Sequence, residues 1–318
     1  MTPTFADIQM AAARIAPYAI RTPLVESWIL NARTGGRIFL KLETLQRTGS
    51  FKFRGACNRL AMIPQAQRAN GVVAFSSGNH AQGVAAAAQL FGMPAVIVMP
   101  ADAPRPKIEG TRALGARIVE YDRIKDDREA IAARIQGETG AVMVKPFDDA
   151  GVIAGQGTAG LEIVEQLGRS PGRIVVPCGG GGLASGIALA VPDAEMVIVE
   201  PERWDDMGRS LEIGEIVPVE ADAPSTFCDA IMTPRVSPIT FGILSGREAK
   251  AASVSDAEVA EALRFAWTRH QLVVEPGAAV ALAALLSGKL GPLEDTVVVV
   301  SGGNIDPALH ARIIASEL

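Results

Sequence analysis

The sequence has few cysteines: only Cys57, Cys178 and Cys228 occur in 318 residues, and no Cys-x-x-Cys pair is present. Such an odd and sparse set supports neither a disulfide framework nor a zinc site. Small buried thiols in a reducing compartment are the simpler interpretation. Residues 1–7 also lack the basic and apolar regions of a secretory signal peptide. These features predict a cytoplasmic protein.

The chain also has no excess of basic residues and no long apolar run. Its formal net charge is −5, with 30 Lys and Arg against 35 Asp and Glu. A nucleic-acid partner needs a basic face that neutralises phosphates, so this balance argues against one. The longest apolar stretches, such as 278–286, fall well short of the roughly 18 residues that a membrane span needs. The length and the 48% hydrophobic content are enough for a sizeable core and about two domains.

Short apolar runs alternate with alanine-rich stretches of helical character through much of the chain. These runs predict strands at 71–75, 95–99, 116–121, 173–176, 196–199 and 296–300. They are continuous rather than alternating in polarity, as in strands that are covered on both faces. Strands that alternate with helices predict parallel βαβ units and doubly wound sheets.

Three glycine-marked turns follow three of the predicted strands: Ser76-Ser77-Gly78-Asn79-His80, Gly179-Gly180-Gly181-Gly182-Leu183 and Ser301-Gly302-Gly303-Asn304. Ligands of doubly wound sheets bind at the carboxyl ends of strands. Glycines let the backbone approach an anion, and the helix that follows directs N–H donors at it. The four-glycine run lacks the Gly-Lys-Ser/Thr of a Walker A loop. A dinucleotide site, and with it an NAD-dependent dehydrogenase, stays open as an alternative. Gly180, Gly182 and Gly186 approximate the dinucleotide fingerprint, and Glu200 follows at the expected distance.

Lys52 is the candidate nucleophile. It lies between Phe51 and Phe53, and apolar surroundings favour the neutral amine that a Schiff-base lysine needs. A surface lysine is the alternative interpretation. Asn79 and His80 could orient a ring hydroxyl and a carboxylate, or they could cap a helix.

Together these residues resemble the fold-type II pyridoxal-phosphate enzymes, specifically the threonine/serine dehydratase and serine racemase family, which includes 3-hydroxyaspartate dehydratases. The resemblance covers almost the whole chain and includes the segments Arg21-Thr22-Pro23-Leu24, 152–158 and Val274-Glu275-Pro276-Gly277-Ala278. It implies an α/β fold of two doubly wound open-sheet domains with the active site between them. The large domain would comprise 1–62 and 149–318, and the small mobile domain 63–148. The resemblance also implies a homodimer and a small amino-acid substrate.

By this resemblance, each candidate residue has a role. Lys52, next to Phe51, forms an imine with pyridoxal phosphate, Asn79 contacts the ring 3-hydroxyl and Ser301 faces the pyridine nitrogen. The phosphate is held by Gly179, Gly180, Gly181, Gly182 and Leu183, which disfavours the dinucleotide interpretation. The substrate is contacted by Ser76, Ser77, Asn79, His80 and Arg128. Lys52, once displaced by the substrate amine, removes the Cα proton as general base. Loss of the β-hydroxyl then gives an aminoacrylate, which becomes a 2-oxo acid and ammonia.

Two positions bear on the substrate. Serine racemases have a serine at Ser77, on the ring face opposite the lysine, where it can exchange a proton with Cα as a second acid/base. Family members that only eliminate can have this serine too. Arg128 falls where serine racemases and 3-hydroxyaspartate dehydratases have an arginine, whose planar fork suits a second carboxylate. A surface helix residue is the alternative for Arg128. L-Threonine and L-serine are the default substrates, L-threo-3-hydroxyaspartate is a further candidate, and a serine or aspartate racemase is the alternative function.

The resemblance also suggests a divalent-cation site away from the chemistry. Glu200, Trp204 and Asp206 match the spacing of the family's ligands, with Trp204 contributing its carbonyl oxygen. Hard oxygen ligands suit Mg²⁺, and also Ca²⁺ or Mn²⁺. An acidic surface turn is the alternative. A departure from the family occurs at Phe227-Cys228-Asp229-Ala230, where relatives have Ala-Asp-Gly near the active site, and this leaves the substrate assignment open.

Overall fold

The computed structural model describes residues 1–76, 78–103, 105–123, 125–291 and 294–317. Ser77, a predicted site residue, lies outside the described residues. The strands are β1 Leu24–Glu26, β2 Arg37–Leu42, β3 Val72–Phe75, β4 Ala95–Pro100, β5 Arg117–Tyr121, β6 Val142–Met143, β7 Arg173–Pro177, β8 Glu195–Pro201, β9 Lys250–Val254 and β10 Asp295–Val300. The helices are α1 Phe5–Ile15, α2 Trp28–Thr34, α3 Lys52–Ala61, α4 Asn79–Phe91, α5 Arg105–Ala113, α6 Arg128–Thr139, α7 Ala150–Leu167, α8 Gly182–Ala190, α9 Asp206–Ile213, α10 Pro238–Gly246, α11 Asp256–His270, α12 Pro276–Leu286 and α13 Pro307–Ile314.

The strands form two sheets. The larger sheet has the order β1-β2-β10-β7-β8-β9 and the smaller one β5-β4-β3-β6. Every pairing in both sheets is parallel except that of β1 with β2. Parallel strands need crossover connections, and helices supply them here. The predicted α/β class with two doubly wound domains is confirmed, while the boundaries of the small domain at 63 and 148 remain a prediction.

Both faces of the larger sheet are covered by helices. Successive residues of a strand point to opposite faces, and the valines of β10 divide accordingly. Val298 and Val300 pack with α11 and α12, whereas Val297 and Val299 pack with α1, α7 and α8. This double burial explains why β10 is a continuous run of valines. Among the described residues, no helix is long and apolar enough to cross a membrane.

A buried ionic network fixes the helix that begins at Lys52. Arg54 lies two residues further along α3, is fully buried, and pairs with Glu43 at 2.7 Å and Glu162 at 2.6 Å. Lys41 of β2 pairs with the other oxygen of Glu162 at 2.6 Å. Burial disfavours ionisation of Glu43, but Arg54 outweighs it and holds the pKa of that carboxyl below its usual value. The network therefore ties β2, α3 and α7 together beneath the site.

We expect Arg54→Leu to lower the free energy of unfolding by about 3–5 kcal/mol, because two carboxylates would lose their buried partner. Urea denaturation of the variant measures this loss. Arg21→Leu is the matched control, since Arg21 pairs with Glu165 at the surface and such pairs contribute about 1 kcal/mol or less. Equal losses in the two variants would contradict the importance of the network.

Candidate active site

A cleft opens where β3, β7 and β10 end, and residues from both domains line it. Of the residues predicted from the sequence, those that line the cleft are Phe51, Lys52, Ser76, Asn79, His80, Arg128, Gly179, Gly180, Gly181, Gly182, Leu183 and Ser301. Their convergence follows from the topology, because the carboxyl ends of parallel strands meet at one edge of a sheet. The cleft is thus the default binding site.

Lys52 is held at the base of the cleft as the first residue of α3. Its Nζ donates a hydrogen bond to the carbonyl oxygen of Pro146 at 3.1 Å and lies 5.1 Å from the centre of the Phe51 ring. The backbone N–H of Phe51 donates to the carbonyl of Ser301 at 3.0 Å, which ties this turn to the end of β10. Burial lowers the pKa of Lys52 to about 8, although Glu275 acts in the opposite direction. A substantial fraction of the amine is therefore neutral near physiological pH, as a nucleophile or base requires.

The four-glycine turn forms a backbone cradle between β7 and α8. Gly181 has φ +81°, and a Cβ at that position would lie 2.8 Å from the Met207 side chain. Only glycine meets both conditions without strain. The cradle leads directly into the first turn of α8, where unpaired N–H groups favour an anion.

Asn79 lies in a hydrogen-bonded chain at the other side of the cleft. Its Oδ1 accepts from Asn304 Nδ2 at 2.8 Å, and its Nδ2 donates to Glu275 Oε1 at 2.6 Å. Neither Glu275 nor Asn304 was assigned a site role from the sequence. Glu275 stands in the segment 274–278 that carries the family resemblance, and Asn304 stands in the third glycine turn, so both had a local signal.

His80 is buried beside these groups and remains neutral. Its Nε2 contacts the carbonyl oxygen of Val144 at 2.9 Å, so Nε2 carries the proton and Nδ1 is an acceptor. Burial, and then the charge of Lys52, lower the pKa of His80 to about 3. Nδ1 has no hydrogen-bond partner among the described residues, which leaves an acceptor in the cleft wall.

Two basic side chains of the small domain, Arg128 and Lys107, line the cleft. Arg128 begins α6, its guanidinium carbon lies 5.3 Å from the centre of the Phe75 ring, and it has no carboxylate partner among the residues that the structure describes. Lys107 of α5 instead forms an ion pair with Asp229 of the large domain. Sequence reasoning missed Lys107, because nothing in its helical surroundings distinguishes it from a surface lysine.

The predicted cation ligands Glu200 and Asp206 lie together at the end of β8 and the start of α9, away from the cleft. Glu200 accepts from the backbone N–H groups of Met207 at 3.2 Å and Gly208 at 2.8 Å. Burial and the neighbouring Asp206 raise the pKa of Glu200 well above its usual value, and burial raises that of Asp206 to about 7. Glu200 is buried and both of its oxygens accept backbone hydrogen bonds. It is therefore poorly placed to bind a ribose hydroxyl, which disfavours the dinucleotide alternative.

The model of the family described as pyridoxal-phosphate dependent enzyme matches residues 15–302. The chain belongs to this family. It is 45% identical over 316 residues to an L-threo-3-hydroxyaspartate ammonia-lyase of Pseudomonas sp., with 98% of each chain covered. It is 43% identical to an L-threonine ammonia-lyase of Thermotoga maritima, covering 99% of this chain and 79% of the relative. The structure of maize serine racemase superposes with a TM-score of 0.92 at 34% identity, covering 100% of this chain and 98% of the other.

These comparisons confirm the predicted family and fold, and they agree with the predicted class of pyridoxal-phosphate-dependent ammonia-lyase. The racemase alternative is less favoured, because a hydroxyaspartate ammonia-lyase matches at 45% identity, whereas serine racemases of fission yeast, Arabidopsis and maize match at 39% or less. The roles of the individual site residues are a separate question, which the geometry addresses.

Proposed function

We propose that this enzyme converts a 3-hydroxy amino acid to a 2-oxo acid and ammonia, and that it prefers a substrate with a second carboxylate, such as L-threo-3-hydroxyaspartate. Arg128 is the observation that carries the preference. It lines the cleft, its guanidinium makes a cation–π contact with Phe75, and it has no anionic partner among the described residues. The 45% identity to a relative named for that substrate supports the same choice.

The residues of the cleft fit pyridoxal phosphate. The glycine cradle from Gly179 to Leu183, too tight at Gly181 for a side chain, would hold the phosphate. Asn79 would contact the ring hydroxyl and Ser301 the ring nitrogen. When bound, the cofactor supplies an electron-withdrawing ring that acidifies the Cα–H bond of the amino acid. Lys52, whose pKa is lowered to about 8 by burial, accepts that proton as general base.

The remaining polar groups would bind the substrate. Ser76 and His80 line the cleft and would orient the reacting amino acid, His80 through its Nδ1, which has no hydrogen-bond partner among the described residues. Arg128 would bind the distal carboxylate with two parallel hydrogen bonds. Ser77, outside the described residues, remains our proposed proton donor and acceptor on the face opposite Lys52.

We expect Arg128→Ala to lower kcat/KM for L-threo-3-hydroxyaspartate, because a charged contact is lost. The decrease should correspond to a rise of about 2–4 kcal/mol in the free energy of the transition state. The loss with L-threonine should be much smaller, since it has no second carboxylate. Assays of 2-oxo acid and ammonia with both substrates, and with L-serine, measure this.

Arg134→Ala is the control for this experiment, because Arg134 lies on the same helix but is exposed and pairs with Glu138. Its kinetics should match those of the wild type. Equal losses on both substrates in Arg128→Ala would refute the dicarboxylate preference. Formation of the D-isomer without oxo acid by the wild type would instead support the racemase alternative.

We also propose that Glu200 and Asp206, with the carbonyl of Trp204, bind a divalent cation such as Mg²⁺, Ca²⁺ or Mn²⁺. Asp206 Oδ1 is buried without a hydrogen-bond partner among the described residues, and two enclosed carboxyl groups side by side suit a cation. No group of three or more His, Cys, Asp or Glu side chains could hold a metal in the described part of the chain, so backbone or water oxygens would complete the site.

A cation that binds at this site should raise the midpoint temperature of thermal unfolding of the wild-type protein by mass action. Glu200→Gln should remove that rise. Glu202→Gln is the matched control, because Glu202 lies on the same segment but is exposed and pairs with Lys289. Scanning calorimetry with and without the cation measures the shift. A midpoint that no cation raises, or one raised equally in Glu200→Gln, would rule the site out.

We propose further that the protein is a cytoplasmic homodimer. Its cysteines are free and buried, which suits a reducing compartment. Exposed apolar side chains occur on β1 and at the start of α2, and Ser27, between these two elements, forms a hydrogen bond of 3.2 Å with His270 at the end of α11. The exposed apolar side chains in these parts of the chain and in nearby turns are Val25, Trp28, Leu45, Trp267 and Val273. We infer that they form a patch of the kind that marks interfaces.

Sedimentation velocity tests the dimer. The wild type should sediment as a dimer, and Trp28→Ser should shift it towards monomer, because Trp28 is 76% exposed in the single chain and aromatic residues dominate interface energies. Ile213→Ser, which alters an exposed side chain at the end of α9, should leave the dimer intact. A monomeric wild type would contradict the proposal.

A further inference from the structure

Glu275 is a buried acid with one unused oxygen in the wall of the cleft. It precedes α12 at the N-cap position, yet its side chain makes no capping hydrogen bond. The residue is only 3% exposed and lines the cleft. Oε1 accepts from Asn79, whereas Oε2 has no hydrogen-bond partner among the described residues. Buried polar atoms are rarely left without partners, so this oxygen calls for a functional explanation.

The surrounding turn leaves room for this carboxyl. The backbone N–H of Glu275 donates to the carbonyl of Gly302 at 3.0 Å, and any Cβ at Gly302 would overlap Glu275 Oε1. The neighbouring carbonyl of Ser301 accepts from Phe51, next to Lys52. The acid and the lysine are therefore held by the same strand end.

The carboxyl and Asn304 together fix the amide of Asn79. Asn304 Nδ2 donates both to Asn79 Oδ1 and to the carbonyl of Thr48, each at 2.8 Å. With a donor at Oδ1 and an acceptor at Nδ2, the amide has one favourable orientation. One N–H of Nδ2 is left for another partner.

We propose that Glu275 is a positioning residue: it fixes the Asn79 amide for contact with the ring hydroxyl of the cofactor and places a titratable carboxyl beside that contact. The inference rests on the proposed role of Asn79 and goes beyond it, because it assigns a role to an acid outside the proposed set of site residues. It also explains why the carboxyl is retained in an enclosed place.

The charge of Glu275 changes near neutrality. Burial raises the pKa of Glu275 to about 7, and the negative charge of Asp229 adds to this rise. The charges of Lys107 and Lys52 and the hydrogen bond from Asn79 act in the opposite direction. His80 is neutral in this range and does not compensate the charge. Below the pKa the group is a neutral acid, and above it a negative charge stands beside the Asn79 contact. Such a charge would alter the electron distribution of the ring and hence its visible absorption.

The test is a pH titration of the visible absorbance of the purified holoenzyme. In the wild type, the spectrum should change with a midpoint near pH 7. Glu275→Gln, which keeps the size of the side chain and a hydrogen-bond acceptor for Asn79 but cannot ionise, should lose this transition. Glu165→Gln, a change at an exposed acid, should keep it.

Cofactor affinity gives a second readout. Glu275→Ala leaves the Asn79 amide without its acceptor and should weaken the binding of pyridoxal phosphate to the apoprotein by about tenfold, as for one lost hydrogen bond. Glu275→Gln should bind within a few-fold of the wild type. An unchanged affinity in Glu275→Ala, together with the wild-type transition in Glu275→Gln, would overturn the inference.

The outcomes separate this inference from the proposed function. A wild-type protein that takes up no pyridoxal phosphate would overturn both. One that takes up the cofactor and produces 2-oxo acid, but whose spectrum does not change around pH 7, would overturn the role of Glu275 alone. That second result needs no variant, so it decides the matter even where Glu275→Gln fails to fold.

Discussion

Moving an amine out of water costs solvation of its charge, and at Lys52 the protein does not offset that cost with a carboxylate at contact distance. Among the described residues the amine has only the carbonyl of Pro146 as hydrogen-bond partner. The consequence is a lysine close to neutrality, which is the state needed for nucleophilic and base chemistry. The position is made possible by Arg54, two residues further on, whose ion pairs secure the helix.

Charge is distributed unevenly around this amine. Below the cleft, the guanidinium and carboxylates are fully paired, as buried charges must be. Inside the cleft, Arg128 has no anionic partner and Glu275 keeps one oxygen free in the part of the chain that the structure describes. Charged groups without a protein partner are tolerated where a ligand supplies the partner, and such groups cluster at functional sites. The glycine cradle adds a place for an anion without adding a formal charge.

Much of this could be predicted from the sequence, and the exceptions have physical causes. Six predicted strands agree with the structure to within two residues at each end. Five of them are apolar runs that are buried on both faces, whereas β5, at the edge of its sheet, is partly exposed. β2 was not predicted, since its Lys41 reads as an exposed charge. Its ion-pair partner Glu162 lies 121 residues away, and no local pattern reveals such a pair. For the same reason Lys107 was missed, because the fold alone brings it to the cleft. The sequence marks Glu275 only as part of a family motif, because its contact with Asn79 joins residues 196 positions apart.

Reduction of the holoenzyme with borohydride, followed by peptide mapping by mass spectrometry, tests the central claim most directly, because it locates the covalent attachment of the cofactor. Lys52 and Lys107 both line the cleft. Burial lowers the pKa of Lys52 to about 8, whereas Lys107 forms an ion pair with Asp229. The account predicts pyridoxyl modification of the peptide that contains Lys52, and its absence from the Lys52→Ala protein. Modification at Lys107, or no modified peptide in the wild type, would contradict it.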